Sequence, residues 1–160
     1  LQSLPYVDGS RIGVKGFSFG GTTTAMLVLR FPQYFRCGIA GGGVYDWTLY
    51  DSHYTERFMD TPQANPEGYE AASVLSWVPE VFASADTSAR PLPGALRLTH
   101  GTGDDNVHYQ NTLLLMDALQ KAGYQFEVML YPDGMHGYRG YQGEHDKAAE
   151  AAFWTKWLLE

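Results

Sequence analysis

Apolar residues follow two rhythms along this chain. Short, nearly continuous runs fall at 11–16, 37–42, 96–101 and 125–131, and each ends at glycine or proline punctuation. Runs of that length read as strands. Between them lie stretches with helical spacing. Residues 22–29 read as a helix packed on both sides, and 107–122 place Leu113, Leu114, Met116, Ala118 and Leu119 at apolar positions, with Gly123 as a left-handed cap. A last helix begins near 144–146 and carries Ala149, Ala152, Phe153 and Trp157 on one stripe. Strands alternating with helices imply a parallel sheet joined by right-handed crossovers, the α/β class. The stretch 41–94 interrupts this alternation. It is rich in tyrosine, tryptophan and proline, and a long connection of that kind is expected to build a binding site rather than a core.

Composition narrows the picture. A chain of 160 residues is the size of one domain. Its net charge of −7 and its lack of a basic run argue against nucleic-acid binding. No window approaches the ~18 apolar residues of a membrane span. The single cysteine, Cys37, lies in a strand candidate and reads as a small buried hydrophobe. The chain opens on Leu1, so the lack of a visible leader leaves the compartment open; in a bacterium, the periplasm or secretion is favoured over the cytoplasm.

The chemistry is concentrated at strand ends. Gly16-Phe17-Ser18-Phe19-Gly20-Gly21 joins the first strand to its helix. A serine flanked by glycines at such a corner has the form of a nucleophile elbow, in which a strained turn holds the hydroxyl out at the carboxyl edge of the sheet. Acyl transfer by serine also needs a base to take the hydroxyl proton and an acid to orient that base. The third strand runs into Thr102-Gly103-Asp104-Asp105-Asn106, and the fourth into Pro132-Asp133-Gly134-Met135-His136-Gly137. The candidates, in the order serine, acid, histidine, are Ser18, Asp104 and His136. Asp105 competes for the acid role, its alternative being a carboxylate at a helix N-terminus. His53, His100, His108 and His145 read as structural, because none lies in the loop directly after the final strand. No metal-ligand spacing is present, and neither metal nor cofactor is expected.

Together with Val107-His108-Tyr109-Gln110, which extends the acid loop, and Tyr131, which precedes the histidine loop, these motifs resemble the prolyl oligopeptidase family. Tyr50-Asp51-Ser52-His53-Tyr54-Thr55-Glu56-Arg57-Phe58-Met59 is similar to its dipeptidyl-peptidase IV branch. The resemblance implies an α/β-hydrolase fold, with Ser18 as nucleophile, Asp104 as orienting acid and His136 as general base. It implies that the Phe19 amide is one oxyanion donor, the other being a tyrosine hydroxyl from upstream of the elbow. Val44, Trp47, Tyr50, Tyr54 and Val107 match an apolar pocket for a substrate proline ring, and Asn106 matches the residue that holds the substrate carbonyl. From the residues alone, the four-residue spacing of Tyr50 and Tyr54 also allows helical core packing. Glu56 and Arg57 read as a scaffold ion pair, and Trp154 and Trp157 as anchors of the last helix.

Residues 1–160 are expected to be a truncated α/β-hydrolase peptidase domain of about four parallel strands, its C-terminal half, with the N-terminal strands and a propeller absent. Such a piece alone is expected to be poorly soluble and inactive, because the edge of its first strand would be unpaired. The expected activity of the whole protein is release of N-terminal dipeptides with penultimate proline or alanine from peptide substrates, by a homodimer. An esterase or lactonase of the same fold, or an interaction domain without chemistry, are the alternatives. The branch's propeller and paired glutamates are not in this sequence, so endopeptidase, tripeptidyl and acyl-aminoacyl activities stay open.

Overall fold

The computed structural model describes residues 3–83 and 94–160. Four parallel strands, β1 (Gly13–Phe17), β2 (Cys37–Gly41), β3 (Ala95–Gly101) and β4 (Glu127–Tyr131), form one sheet in the order β1-β2-β3-β4. Pairing is in continuous register, Gly13 opposite Cys37, Cys37 opposite Ala95 and Arg97 opposite Glu127. Among the described residues six α-helices accompany it: α1 (Phe19–Arg30), α2 (Ser52–Met59), α3 (Pro66–Ala72), α4 (Val74–Ala83), α5 (Gln110–Lys121) and α6 (Tyr141–Trp154).

Both faces of the sheet are covered, which is why its central strands are nearly continuous apolar runs. Side chains alternate across a strand. On one face, Ala40, Leu96 and Leu98 meet Ala25, Val28 and Leu29 of α1, Val74 and Val78 of α4, and Leu115 and Leu119 of α5. On the other, Cys37 and Ile39 meet Phe153, with Trp154 and Trp157 beside them. The tryptophans therefore anchor the C-terminal segment as expected, and burial pushes the Cys37 thiol up to about 11. Helix α1 lies close against β2 because Gly38 has no side chain: a Cβ there would stand 2.5 Å from Val28 Cγ2. Truncating a core residue such as Leu98 to alanine would cost about 2–5 kcal/mol.

The stretch 41–94 differs from its expectation. Most of its described part is helical, and Tyr45, Val74 and Val78 are core residues; 84–93 lie outside the described residues. Local signals explain the helices. Asp51 Oδ1 accepts from the Tyr54 amide to start α2, and Asn65 Oδ1 accepts from the Gly68 amide to start α3, where Pro66 occupies the first turn. Helix α6 also begins earlier than expected, after Gly140 at φ 54°. Among the described residues no ion pair joins Glu56 and Arg57, contrary to expectation.

Candidate active site

Three loops at the carboxyl edge of the sheet converge. The first is the corner between β1 and α1. Ser18 adopts φ 59°, ψ −125°, a left-handed conformation that a non-glycine residue rarely takes. Two glycines permit it. A Cβ on Gly16 would stand 2.1 Å from the Gly20 carbonyl oxygen, and one on Gly21 2.4 Å from that of Gly41. The Ser18 amide donates to the Gly41 carbonyl at 2.8 Å, pinning the corner to β2. The next residue, Phe19, opens α1, so its amide is among the first four of the helix, which have no partner within it.

The second loop follows β3. Asp104 Oδ1 accepts from the amides of Asn106 at 3.0 Å and Val107 at 2.9 Å. The carboxylate is wholly shielded from solvent, and its Oδ2 faces the third loop. Asp105, by contrast, is exposed. It lies five residues before α5, whose cap is Tyr109, so the helix N-terminal role considered for it does not fit.

The third loop follows β4 and is stitched to the second. Thr102 donates its amide to the Tyr131 carbonyl, Gly103 donates to that of Gly134, and the Asp133 amide donates to Thr102 Oγ1 at 2.9 Å. Asp133 turns the chain at φ 54°. His136 then stands with Nδ1 2.7 Å from Asp104 Oδ2 and Nε2 2.9 Å from Ser18 Oγ. A carboxylate can only accept, so Nδ1 donates to it and Nε2 is left to accept from the Ser18 hydroxyl. Phe17 backs the imidazole, with ring centroids 5.1 Å apart, and packs edge-on against Tyr138, whose hydroxyl donates to Thr99 Oγ1 at 3.0 Å. Sequence reasoning missed Phe17; its position beside the elbow was the available signal.

Beside this relay, Phe19, Trp47, Tyr50 and Tyr54 build an aromatic wall. Trp47 and Tyr54 are stacked at 6.5 Å, and Tyr50 sits edge-on to both. Tyr50 lies outside α2, and Tyr54 remains 44% exposed, so their spacing does not reflect a core helix face. Val44 and Val107 are buried against Trp47 and Tyr50. The Tyr50 hydroxyl donates to Asn106 Oδ1 at 2.9 Å, and burial followed by the nearby Asp51 raises its pKa. The expected pocket residues do not all share one cavity. A void of about 460 Å³ takes Phe19, Trp47 and Tyr54 as lining together with Met26, Phe58 and Met59, while Val44, Tyr50, Asn106 and Val107 lie outside its lining.

Three of the other histidines are dispersed. His108 Nδ1 accepts from the Gln110 amide, His145 Nδ1 lies 3.2 Å from the Tyr131 hydroxyl, and His53 is exposed on α2. His100 is buried beneath Asp104. No helix among the described residues is long and apolar enough to cross a membrane.

The family model described as "Prolyl oligopeptidase family" matches residues 1–160. The chain is 42% identical to the Grosmannia clavigera protein named "Probable dipeptidyl-aminopeptidase B", over 98% of this chain and 16% of that protein. It is 41% identical to venom dipeptidyl peptidase 4 of Vespula vulgaris, over 87% of this chain and 17% of that protein. The crystal structure of Porphyromonas gingivalis dipeptidyl peptidase 4 superposes with a TM-score of 0.87 at 41% identity, covering 98% of this chain and 21% of that one. The chain thus spans under a fifth of the length of these curated relatives.

Proposed function

The chain belongs to the prolyl oligopeptidase family, and from that premise we propose that it supplies the reacting groups of a serine peptidase that releases N-terminal dipeptides ending in proline or alanine. The observation that carries this reading is the unbroken relay from Ser18 Oγ through His136 to Asp104, at 2.9 and 2.7 Å.

In this mechanism His136 Nε2 takes the Ser18 proton as Oγ attacks the scissile carbonyl carbon. The imidazolium that forms is held by Asp104, which keeps its own charge. The Phe19 amide faces the oxyanion of the tetrahedral intermediate; such a donor is worth about 10²–10³ in rate. His136 then returns the proton to the departing amine, leaving an acyl group on Ser18. Water, activated by the same imidazole, releases the dipeptide. The wall of Trp47, Tyr50 and Tyr54, backed by the buried Val44 and Val107, takes a flat apolar ring by packing area. Asn106 has its Oδ1 committed to Tyr50, which leaves its amide N–H₂ to hold a substrate carbonyl.

The test is an assay of the whole protein on a dipeptide anilide ending in proline and on a short acyl ester, with fluorophosphonate labelling of Ser18. Labelling with preferred anilide cleavage is expected. Ester turnover without anilide cleavage would replace the peptidase by an esterase, and absence of labelling would remove the enzyme altogether.

A further inference from the structure

A second imidazole lies against the candidate acid. His100, on β3, is completely buried. Its Nε2 is 2.8 Å from the Val107 carbonyl oxygen and 3.3 Å from Asp104 Oδ2, and its Nδ1 is 2.7 Å from Thr112 Oγ1. The hydrogens follow by elimination. A carbonyl and a carboxylate only accept, so Nε2 carries the hydrogen. Burial, the largest influence on this ring, holds its pKa below the ordinary histidine value. The ring is therefore neutral, and Nδ1 accepts from the Thr112 hydroxyl. The titratable groups that face it are Asp104, which favours its charged form, and His136, which opposes it.

We propose that His100 is a positioning residue for the relay: its Nε2–H ties down the Val107 carbonyl and faces Asp104 Oδ2, so that the carboxylate keeps aiming that oxygen at His136 Nδ1. The inference rests on the triad reading above. Val107 is the connecting piece, since its amide donates to Asp104 Oδ1 while its carbonyl accepts from His100. The turn that orients the acid is thus held by the two backbone groups of one residue and by one ring. Without the ring, the Val107 carbonyl loses a buried partner and Oδ2 loses a facing donor, so the carboxylate can rotate away from His136. A charged His100 would be no substitute. It would set a second cation beside Asp104 and weaken the hold of that carboxylate on the imidazolium of His136.

The experiment compares the whole wild-type protein with His100→Leu, His100→Gln and Thr112→Val on the proline dipeptide anilide, with kcat, KM and a kcat/KM profile from about pH 5 to 9. His100→Leu is expected to lose about 100-fold in kcat with KM within about twofold, the cost of a slightly misplaced reacting group. Its acid limb should move to lower pH, because the His136 imidazolium has lost support. His100→Gln restores a neutral N–H near the Nε2 position, and should recover kcat to within about tenfold of wild type and return the limb. Thr112→Val removes the hydroxyl that holds Nδ1 and so loosens the ring, and should lower kcat about three- to tenfold with the limb shifted the same way. Folded His100→Leu with wild-type kcat and limb, or His100→Gln no better than His100→Leu, overturns the proposal. If His100→Leu does not fold, His100→Gln and Thr112→Val decide: an unmoved limb and kcat in Thr112→Val overturns it. Wild-type protein that neither labels at Ser18 nor cleaves the anilide overturns the peptidase reading and this inference with it. An active wild type with unaffected variants overturns this inference alone.

Discussion

Tyr50 and Asn106, 56 residues apart in sequence, are joined by a hydrogen bond of 2.9 Å between the phenol and the amide oxygen. The bond ties the aromatic wall to the loop that carries Asp104, so the surface proposed to take the substrate ring and the group proposed to hold its carbonyl move as one piece. Replacing Tyr50 by phenylalanine keeps the ring and removes the tie. A neutral hydrogen bond is worth about 0.5–1.5 kcal/mol, so kcat/KM for the proline anilide should fall about three- to tenfold while turnover of a small acyl ester changes little. Equal losses on both substrates would detach Asn106 from proline recognition.

The relay should respond as a unit. Ser18→Ala, His136→Ala and Asp104→Asn in the whole protein are each expected to lower kcat by about 10⁴, and a double variant should lose scarcely more than the worse single one. Steady-state kinetics of the three single variants and of Ser18→Ala/His136→Ala test this. Additive losses would mean that the three groups act separately.

The elbow has its own steric signature. Gly16→Ala puts a methyl group 2.1 Å from the Gly20 carbonyl oxygen, and the corner must open to admit it. Overpacking of this kind costs about 1–3 kcal/mol. Denaturant unfolding should register that loss, and fluorophosphonate labelling of Ser18 should fall with it. A variant of wild-type stability that labels normally would show that the corner tolerates a side chain.

Stability should depend on pH through His100. Its native pKa lies below the ordinary value of 6.5, chiefly because the ring is buried. The unfolded chain therefore binds a proton here at a pH where the native state does not. The stabilisation from keeping this ring neutral is fully present above about pH 6.5 and is lost as pH falls toward the native pKa. Denaturation midpoints measured between about pH 7.5 and 5 should decline on this account, and the decline should be shallower in His100→Gln. An identical decline in that variant would assign the effect to other groups.

Much of this arrangement was legible in the amino-acid order because the reactive residues sit where strands end, and strand ends are marked by glycine and proline. Ser18, Asp104 and His136 all follow such marks. The stretch 41–94 was harder, because its tyrosines, tryptophans and prolines suggest a loop, whereas Asp51 and Asn65 cap helices and Tyr45, Val74 and Val78 enter the core. The start of α6 at Tyr141 was hidden for a related reason: a glycine at positive φ starts the helix there, with no capping side chain. The contact of His100 with Asp104 was out of reach. It depends on a turn that brings Val107 and Thr112 back over β3, and no spacing rule announces which of five histidines will lie under the acid.

His136 is separated from Ser18 by 118 residues, and β4, which delivers it, leaves the ribosome after β1, β2 and β3. A nascent chain therefore exposes its serine well before the His136 imidazole can reach it. On the proposed reading, the alcohol stays dormant until β4 docks and brings the His136 imidazole to it.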